Sequence, residues 1–327
     1  AAEAAGLGHA RRTGHGAGFW DRGLGERGSR LSDASKVYGE ATIYVGDNGN
    51  DPRTLAIANE FDAVHIPVSR NGAGAARNAG LRVASGDYIA FLDDDDVWLD
   101  SHIRPHLALL DANPELDGVM AQVIAVDDNL RHLDEPWPVR APEHGDALVQ
   151  SMLSGYYPQI GATIVRASVR EAVGFFDESL LGDQDWDWQL RVARMRNLRY
   201  TPVPCVLFRQ RPPGSYDALR LRRLGFGRRV FFRHALPEWR VWPSPKGLLQ
   251  SYRDVMWQYY EYFVSAATER AERGAPRNEI RRAIWGAFRT FPLRATYHLI
   301  APKPLRKALI ASFSSRREAP PPIVSAS

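Results

Sequence analysis

The stretch "YIAFLDDDDVW", residues 88–98, drives five apolar or aromatic residues into four consecutive aspartates. A short uncharged run of this kind predicts a buried strand, and the acidic turn behind it marks where the strand ends. Four adjacent carboxylates repel one another and resist desolvation, so water, basic side chains or a divalent cation must compensate them. Water and basic side chains would make this a surface turn or the cap of the following segment. A cation would make it an active site, because Asp93 and Asp95, with Asp96 adjoining, can converge on a hard ion such as Mg²⁺ or Mn²⁺.

Working outward, the flanking sequence alternates strand and helix signals. "ATIYVG" (41–46), "AVHIPV" (63–68), "DGVMAQVIAV" (117–126) and "IGATIV" (160–165) read as strands. "PRTLAIANEF" (52–61), "GAGAARNAGLRVAS" (72–85) and "QDWDWQLRVARMR" (184–196) read as helices. Such alternation predicts an α/β domain with a mostly parallel sheet covered by helices on both faces. Ligands of these sheets bind beyond the carboxyl ends of the strands, where both "GDNGND" (46–51) and the aspartate run fall.

Two further segments carry candidate chemistry. Arg77, in the first turns of the helix before the acidic strand, could face a phosphate together with the helix N-terminus, or be a surface arginine on an alanine-rich helix. In "GDQDWDWQLR" (182–191), Asp185 could take a proton from a hydroxyl, with Trp186 and Trp188 as flat surfaces for a sugar ring. The plainer reading is a helix start whose acids suit the macrodipole and whose tryptophans are core.

The whole chain sets bounds on these readings. Its 327 residues, 44% hydrophobic and 24% charged, allow one large domain or a domain with an appendage. A net charge of +4 permits contact with phosphates or anionic headgroups without demanding nucleic acid. The single cysteine, Cys205, excludes an internal disulfide and any multi-cysteine metal site. No apolar run is long enough to span a bilayer and no signal peptide is visible, so a cytoplasmic setting is expected. Residues 1–35 are expected to be irregular, 36–212 to form the α/β domain, 213–315 a helical basic and aromatic region, and 316–327 a disordered tail. Within that helical region, "LRLRRLGFGRRVFFRH" (219–234) could contact a membrane peripherally at its inner face; nucleic acid is not expected.

"VGDNGND", "NGAGAARNAGLRVASGDYIAFLDDDDVW", "GATIVRASVREAVGFFDESL" and "QDWDWQLRVA" occur in the order and approximate spacing of the family 2 glycosyltransferases, and the chain resembles that family over residues 41–211. The resemblance implies the GT-A fold, a Rossmann-like sheet flanked by helices, here with a C-terminal helical appendage. It also implies an inverting, nucleotide-sugar-dependent transferase with a saccharide or lipid-linked acceptor, serving cell-surface glycan synthesis. By that resemblance Asp47, Arg77, Asp93 and Asp95 meet the nucleotide sugar, Asp93, Asp95 and Asp96 the metal, Asp185 is the base, and Trp186 and Trp188 face the acceptor. The sequence departs from the family pattern in several places. Gln184 replaces the usual glutamate before the base, Gly46 replaces an aspartate, the opening apolar strand is not recognisable, and no Q-x-x-R-W element follows, so single rather than processive additions are expected. The alternatives are a haloacid-dehalogenase-type phosphatase using Asp93 and Asp95, or a catalytically inactive GT-A-like binding protein.

Overall fold

In the computed structural model the described residues are 16–22, 41–49, 52–140, 145–210, 217–237 and 244–314. By contact density the chain forms two compact units: one up to Arg211 that also claims Val230–His234, and one holding the remaining C-terminal residues.

The first unit is built on an eight-stranded sheet. Its strands are β1 (Gly16–Arg22), β2 (Thr42–Asp47), β3 (Val64–Pro67), β4 (Tyr88–Asp93), β5 (Val97–Trp98), β6 (Gly118–Val126), β7 (Thr163–Arg166) and β8 (Leu198–Arg209), in the order β3-β2-β1-β4-β7-β6-β8-β5. Helices α1 (Pro52–Glu60), α2 (Ala73–Val83), α3 (Ile103–Ala112), α4 (Asp146–Leu153), α5 (Ser168–Val173) and α6 (Gln184–Met195) connect them. Strands β2, β3, β4, β6 and β8 run in one direction, while β1, β5 and β7 run against them. The expectation of a mostly parallel sheet therefore holds for strand direction. The pairing itself is mixed, because each reversed strand lies beside co-directional ones and converts its ladders to antiparallel. What matters for chemistry is that Asp47 and Asp93, the last residues of β2 and β4, emerge on the same rim.

The expectation of an irregular segment over residues 1–35 is corrected at Gly16–Arg22, which pairs antiparallel with β2 on one side and β4 on the other. The edges of β2 and β4 both need hydrogen-bond partners, and an extended backbone supplies them whatever its side-chain pattern. The rest of residues 1–35, and the tail 316–327, lie outside the described residues. Strand β8 was not expected either. It carries Pro202 and Pro204, which remove ladder donors, and its register against β6 slips on both sides of Gln122, where Gln122 faces Pro204.

Helix α2 lies against the sheet because its inner side is small. Ala75, Ala76 and Gly80 are buried, and the backbone of α2 approaches β2 so closely that a Cβ at Gly46 would collide with the carbonyl oxygen of Ala76. This explains why glycine stands at position 46. Beyond α2, Asn78 donates to the Phe176 carbonyl (3.0 Å) and to Glu178 (2.8 Å) and accepts from the Phe176 amide (2.8 Å), tying the helix to the loop before α6.

Helix α6 is held by a buried charge cluster. Asp187 accepts from Arg233 (2.8 Å), His234 (3.0 Å) and Arg191 (3.2 Å), and Arg233 also reaches Asp177 at 2.8 Å. Burial alone would raise the pKa of Asp187, but the hydrogen bond from His234 and the positive charges of Arg191 and Arg233 outweigh it and hold the carboxyl below its ordinary value. Arg233 and His234 lie near the end of α7 (Asp217–Ala235), in the part claimed by the first unit. Val230 and Phe231 of the same turn are fully buried. At its C-terminal end the stretch "LRLRRLGFGRRVFFRH" turns Val230, Phe231 and His234 inward and leaves Arg229 and Phe232 exposed. Its last turn is a structural plug.

The second unit contains α8 (Pro245–Glu272), α9 (Arg277–Thr290), α10 (Pro292–Ile300) and α11 (Pro304–Ser314). Ser244 caps α8 by accepting from the Gly247 amide, with Pro245 in the first turn. The core is Tyr260, Phe263, Ile280, Ala283, Ala287, Ala295, Leu305 and Ala308, and the Phe263 ring fills the space a side chain at Gly286 would need. No helix among the described residues is long and apolar enough to cross a membrane.

Two substitutions test this reading. Gly46→Ala should destabilise the first unit by roughly 1–3 kcal/mol, since backbone rather than a movable side chain blocks the methyl; an unshifted urea midpoint would mean α2 can back away. Asp187→Asn should cost about 1–3 kcal/mol by removing the buried charged acceptor shared by Arg191, Arg233 and His234. Thermal melting within a degree of the parent would remove Asp187 from the structural role.

Candidate functional site

The four aspartates of the turn after β4 enter four different environments. Asp94 is exposed and Asp95 half-buried. Asp93 accepts from the Arg77 guanidinium at 2.5 Å. Asp96 turns inward: its Oδ1 accepts from the Arg209 backbone amide (2.9 Å) and its Oδ2 from the Gln159 side chain (2.8 Å). For Asp93 and Asp96 the question posed by the sequence is answered by one arginine and two neutral donors.

Asp96 remains under electrostatic pressure. Burial first, then repulsion from Asp93 and Asp95, pushes its pKa up to about 8 despite the Arg209 amide. With both oxygens accepting hydrogen bonds inside the protein, Asp96 is not poised as a ligand, which corrects its placement in a metal site. Among the described residues, the His, Cys and carboxylate groups that do converge are His102, His106 and Cys205, whose donor atoms lie within 4.8 Å of one another. There His102 and His106 face each other at 3.2 Å and His106 meets the Thr201 hydroxyl at 2.9 Å. Burial lowers the pKa of both histidines, His106 to about 4, so the pair is neutral.

Arg77 is the centre of the charge arrangement. It is 1% exposed, its Nε and Nη1 have no hydrogen-bond partner, and its guanidinium carbon lies 5.6 Å from the centre of the Phe176 ring. Burial works against its charge, yet the fields of Asp93, Asp185 and Asp96 outweigh it and hold its pKa above the ordinary arginine value. The resemblance suggested a phosphate-facing arginine. The structure instead shows a buried counter-cation that holds Asp93 and draws Asp185 into the same electrostatic group.

Asp185 reaches that group through the start of α6. Asp183 adopts a left-handed conformation (φ 58°), and Gln184 packs against Gly74 in the first turn of α2, one turn before Arg77. Asp185 itself is half-buried and accepts from the Trp186 amide at 2.9 Å. The two acids of "DWDW" thus divide: Asp185 belongs with Arg77, and Asp187 with Arg233 and His234.

The expected acceptor platform is corrected. Trp188 is fully buried, stacked on Phe176 (5.0 Å) and edge-on to Phe91 (5.5 Å), with its indole N–H donating to the Gly174 carbonyl (3.0 Å). Trp186 is 3% exposed against Tyr157. Helix α6 is enclosed on most sides, so both rings lie in the interior although they point in different directions, leaving no flat face in solvent.

Asp47 is also buried. One oxygen accepts from the Gly49 amide (2.9 Å) and the other pairs with His65 (3.0 Å), while neighbouring Asn48 donates to the Gly72 carbonyl (3.1 Å). These bonds set the loop after β2 against the start of α2. The sequence reading missed Gln159 and His65, whose partners are distant in the chain and leave no local pattern.

The glycosyl transferase family 2 model matches residues 31–167. Among curated relatives, an uncharacterized glycosyltransferase of Methanocaldococcus jannaschii is 28% identical over 46% of this chain and 52% of its own length. The amylovoran biosynthesis glycosyltransferase AmsB of Erwinia amylovora is 29% identical over 47% of this chain and 54% of its own. The UDP-Glc:α-D-GlcNAc-diphosphoundecaprenol β-1,3-glucosyltransferase WfaP of Escherichia coli is 33% identical over 24% of this chain and 34% of its own. The chain thus spans about half the length of the first two and a third of the last. The family match begins before β2 and runs through the aspartate turn to the end of β7, over a helix-flanked α/β sheet, and in this region the chain is similar to the family 2 glycosyltransferases.

Proposed function

We propose that the protein is an inverting glycosyltransferase that moves a sugar from a nucleotide diphosphate donor to a saccharide or lipid-linked acceptor in single additions, as a step of polysaccharide synthesis. The observation that carries this reading is the grouping of Asp93, Asp96 and Asp185 around buried Arg77. It supports a candidate base on α6 that shares the field of Arg77 with the carboxylate turn after β4. The names of the amylovoran and diphosphoundecaprenol relatives support the polymer and lipid-linked acceptor classes.

Residues of the turn fit a hard divalent cation, Mn²⁺ or Mg²⁺. The donors are carboxylate oxygens, and the raised pKa of Asp96 marks surplus negative charge that a cation would relieve. Asp93 and Asp95 would hold it, and bound there it would neutralise the diphosphate. Asp96 lies beside the pair without coordinating, its oxygens held by the Arg209 amide and Gln159. Asp47 keeps the loop after β2 in place for the nucleotide, and Arg77 keeps Asp93 oriented. Asp185 takes the proton of the acceptor hydroxyl as that oxygen forms its bond to the anomeric carbon. The bond to the diphosphate breaks on the opposite face and its electron pair leaves with the phosphate.

Asp185→Asn should lower transfer by about 10²–10⁴-fold while leaving the melting temperature and donor affinity close to the parent. Unchanged turnover would remove Asp185 as base, and the absence of turnover in the parent with every nucleotide sugar tested would favour a non-catalytic binding protein. Calorimetry should show Asp95→Ala weakening nucleotide binding in the presence of Mn²⁺; equal affinity would take Asp95 out of the metal site. A third expectation concerns pH without added metal. The folded pKa of Asp96 lies above its unfolded value, so its contribution to stability is full at low pH and is lost as pH rises through about 8. Melting temperature should carry a component that falls from about pH 4 to about pH 8 and levels off above, and Asp96→Asn should remove that part of the fall.

A further inference from the structure

Residues 280–314 contain seven cations, Arg281, Arg282, Arg289, Arg294, Lys303, Arg306 and Lys307, and no aspartate or glutamate. All seven are exposed. Within this run α10 carries three exposed apolar side chains at positions i, i+4 and i+7: Leu293 (90%), Tyr297 (58%) and Ile300 (72%). That spacing places them in one stripe along the helix.

The opposite side of α10 is already packed. Ala295 is fully buried, Leu299 lies against the helical core, and His298 meets the Tyr260 hydroxyl at 3.0 Å. The stripe is therefore the outer face of a seated helix. Cations bracket it: Arg289 and Arg294 at one end, with Arg294 4.5 Å from the centre of the Trp257 ring, and Lys303 and Arg306 at the other, with Arg306 donating to the Ile300 carbonyl (3.1 Å).

We propose that this face of α10 is a docking surface for an anionic lipid bilayer, with Leu293, Tyr297 and Ile300 entering the headgroup–acyl boundary and the bracketing cations pairing with lipid phosphates. An aliphatic stripe ringed by arginine and lysine is what an interfacial helix requires, since the bilayer buries the apolar side chains and neutralises the charge together. A second copy of this chain would bring like charges face to face. A nucleic acid would meet the cations but leave Leu293 and Ile300 with no apolar partner.

The surface lies wholly in the second unit, and vesicle binding is read without donor or acceptor, so its outcome is independent of the transferase reading. The full chain is floated with phosphatidylglycerol–phosphatidylcholine vesicles and with phosphatidylcholine vesicles across a salt series. Binding to the anionic vesicles is expected to be at least about tenfold stronger and to weaken with salt. Leu293→Glu/Ile300→Glu, at exposed positions where helical circular dichroism should be unchanged, should reduce it at least about tenfold. Lys303→Glu/Arg306→Glu should abolish the preference for phosphatidylglycerol. Equal binding to both vesicle types, full binding by the Leu293→Glu/Ile300→Glu variant, or tighter binding to duplex DNA than to the anionic vesicles would each overturn the proposal.

Discussion

A guanidinium sealed from water has to be neutralised, and the first unit is arranged around that requirement. Arg77 sits on α2 because the helix is otherwise small enough to lie against β2, and its charge is met by carboxylates from the end of β4 and the start of α6. An unpaired cation at that depth would cost several kcal/mol, so the pairing with Asp93 is obligatory. Two chain segments nearly a hundred residues apart are thereby brought to one place. The same charge balance that permits the fold also brings together the groups proposed to act in the reaction.

Neighbouring identical residues acquire different work from their surroundings. Asp94 is exposed, Asp93 is claimed by arginine, and Asp96 is turned inward to an amide and Gln159. In α6 the alternation is sharper. Residues two apart point to different sides of a helix, so Asp187 falls among Arg191, Arg233 and His234 while Asp185 is free of that cluster. Trp186 and Trp188 follow the same geometry into the core, where their area serves packing.

Much of this was legible in the chain. The strands over 42–47, 88–93 and 118–126 and the helices over 73–83 and 184–195 follow from uncharged runs, alanine spacing and acidic first turns, and the aspartate turn announces the rim. What escaped depends on non-local partners. β1 has no alternation and exists because two strand edges need covering, while β8 hides behind two prolines tolerated at register slips. The inward turn of Asp96 depends on Gln159, sixty-three positions away. The tryptophans read as surfaces for sugar rings, but α6 is enclosed on most sides and takes both into the core.

The return of Val230–His234 to the first unit has a consequence for how the chain matures. Until the ribosome has released the last turn of α7, Asp187 has neither Arg233 nor His234 to answer its charge, and Val230 and Phe231 have not yet closed their part of the interior. A polypeptide ending at the sheet's last strand would be an unfinished body with an ionised carboxylate at its heart. The apparent boundary near residue 211 is therefore a poor place to cut, and the nascent domain must wait for a stretch of helix made after its sheet is complete.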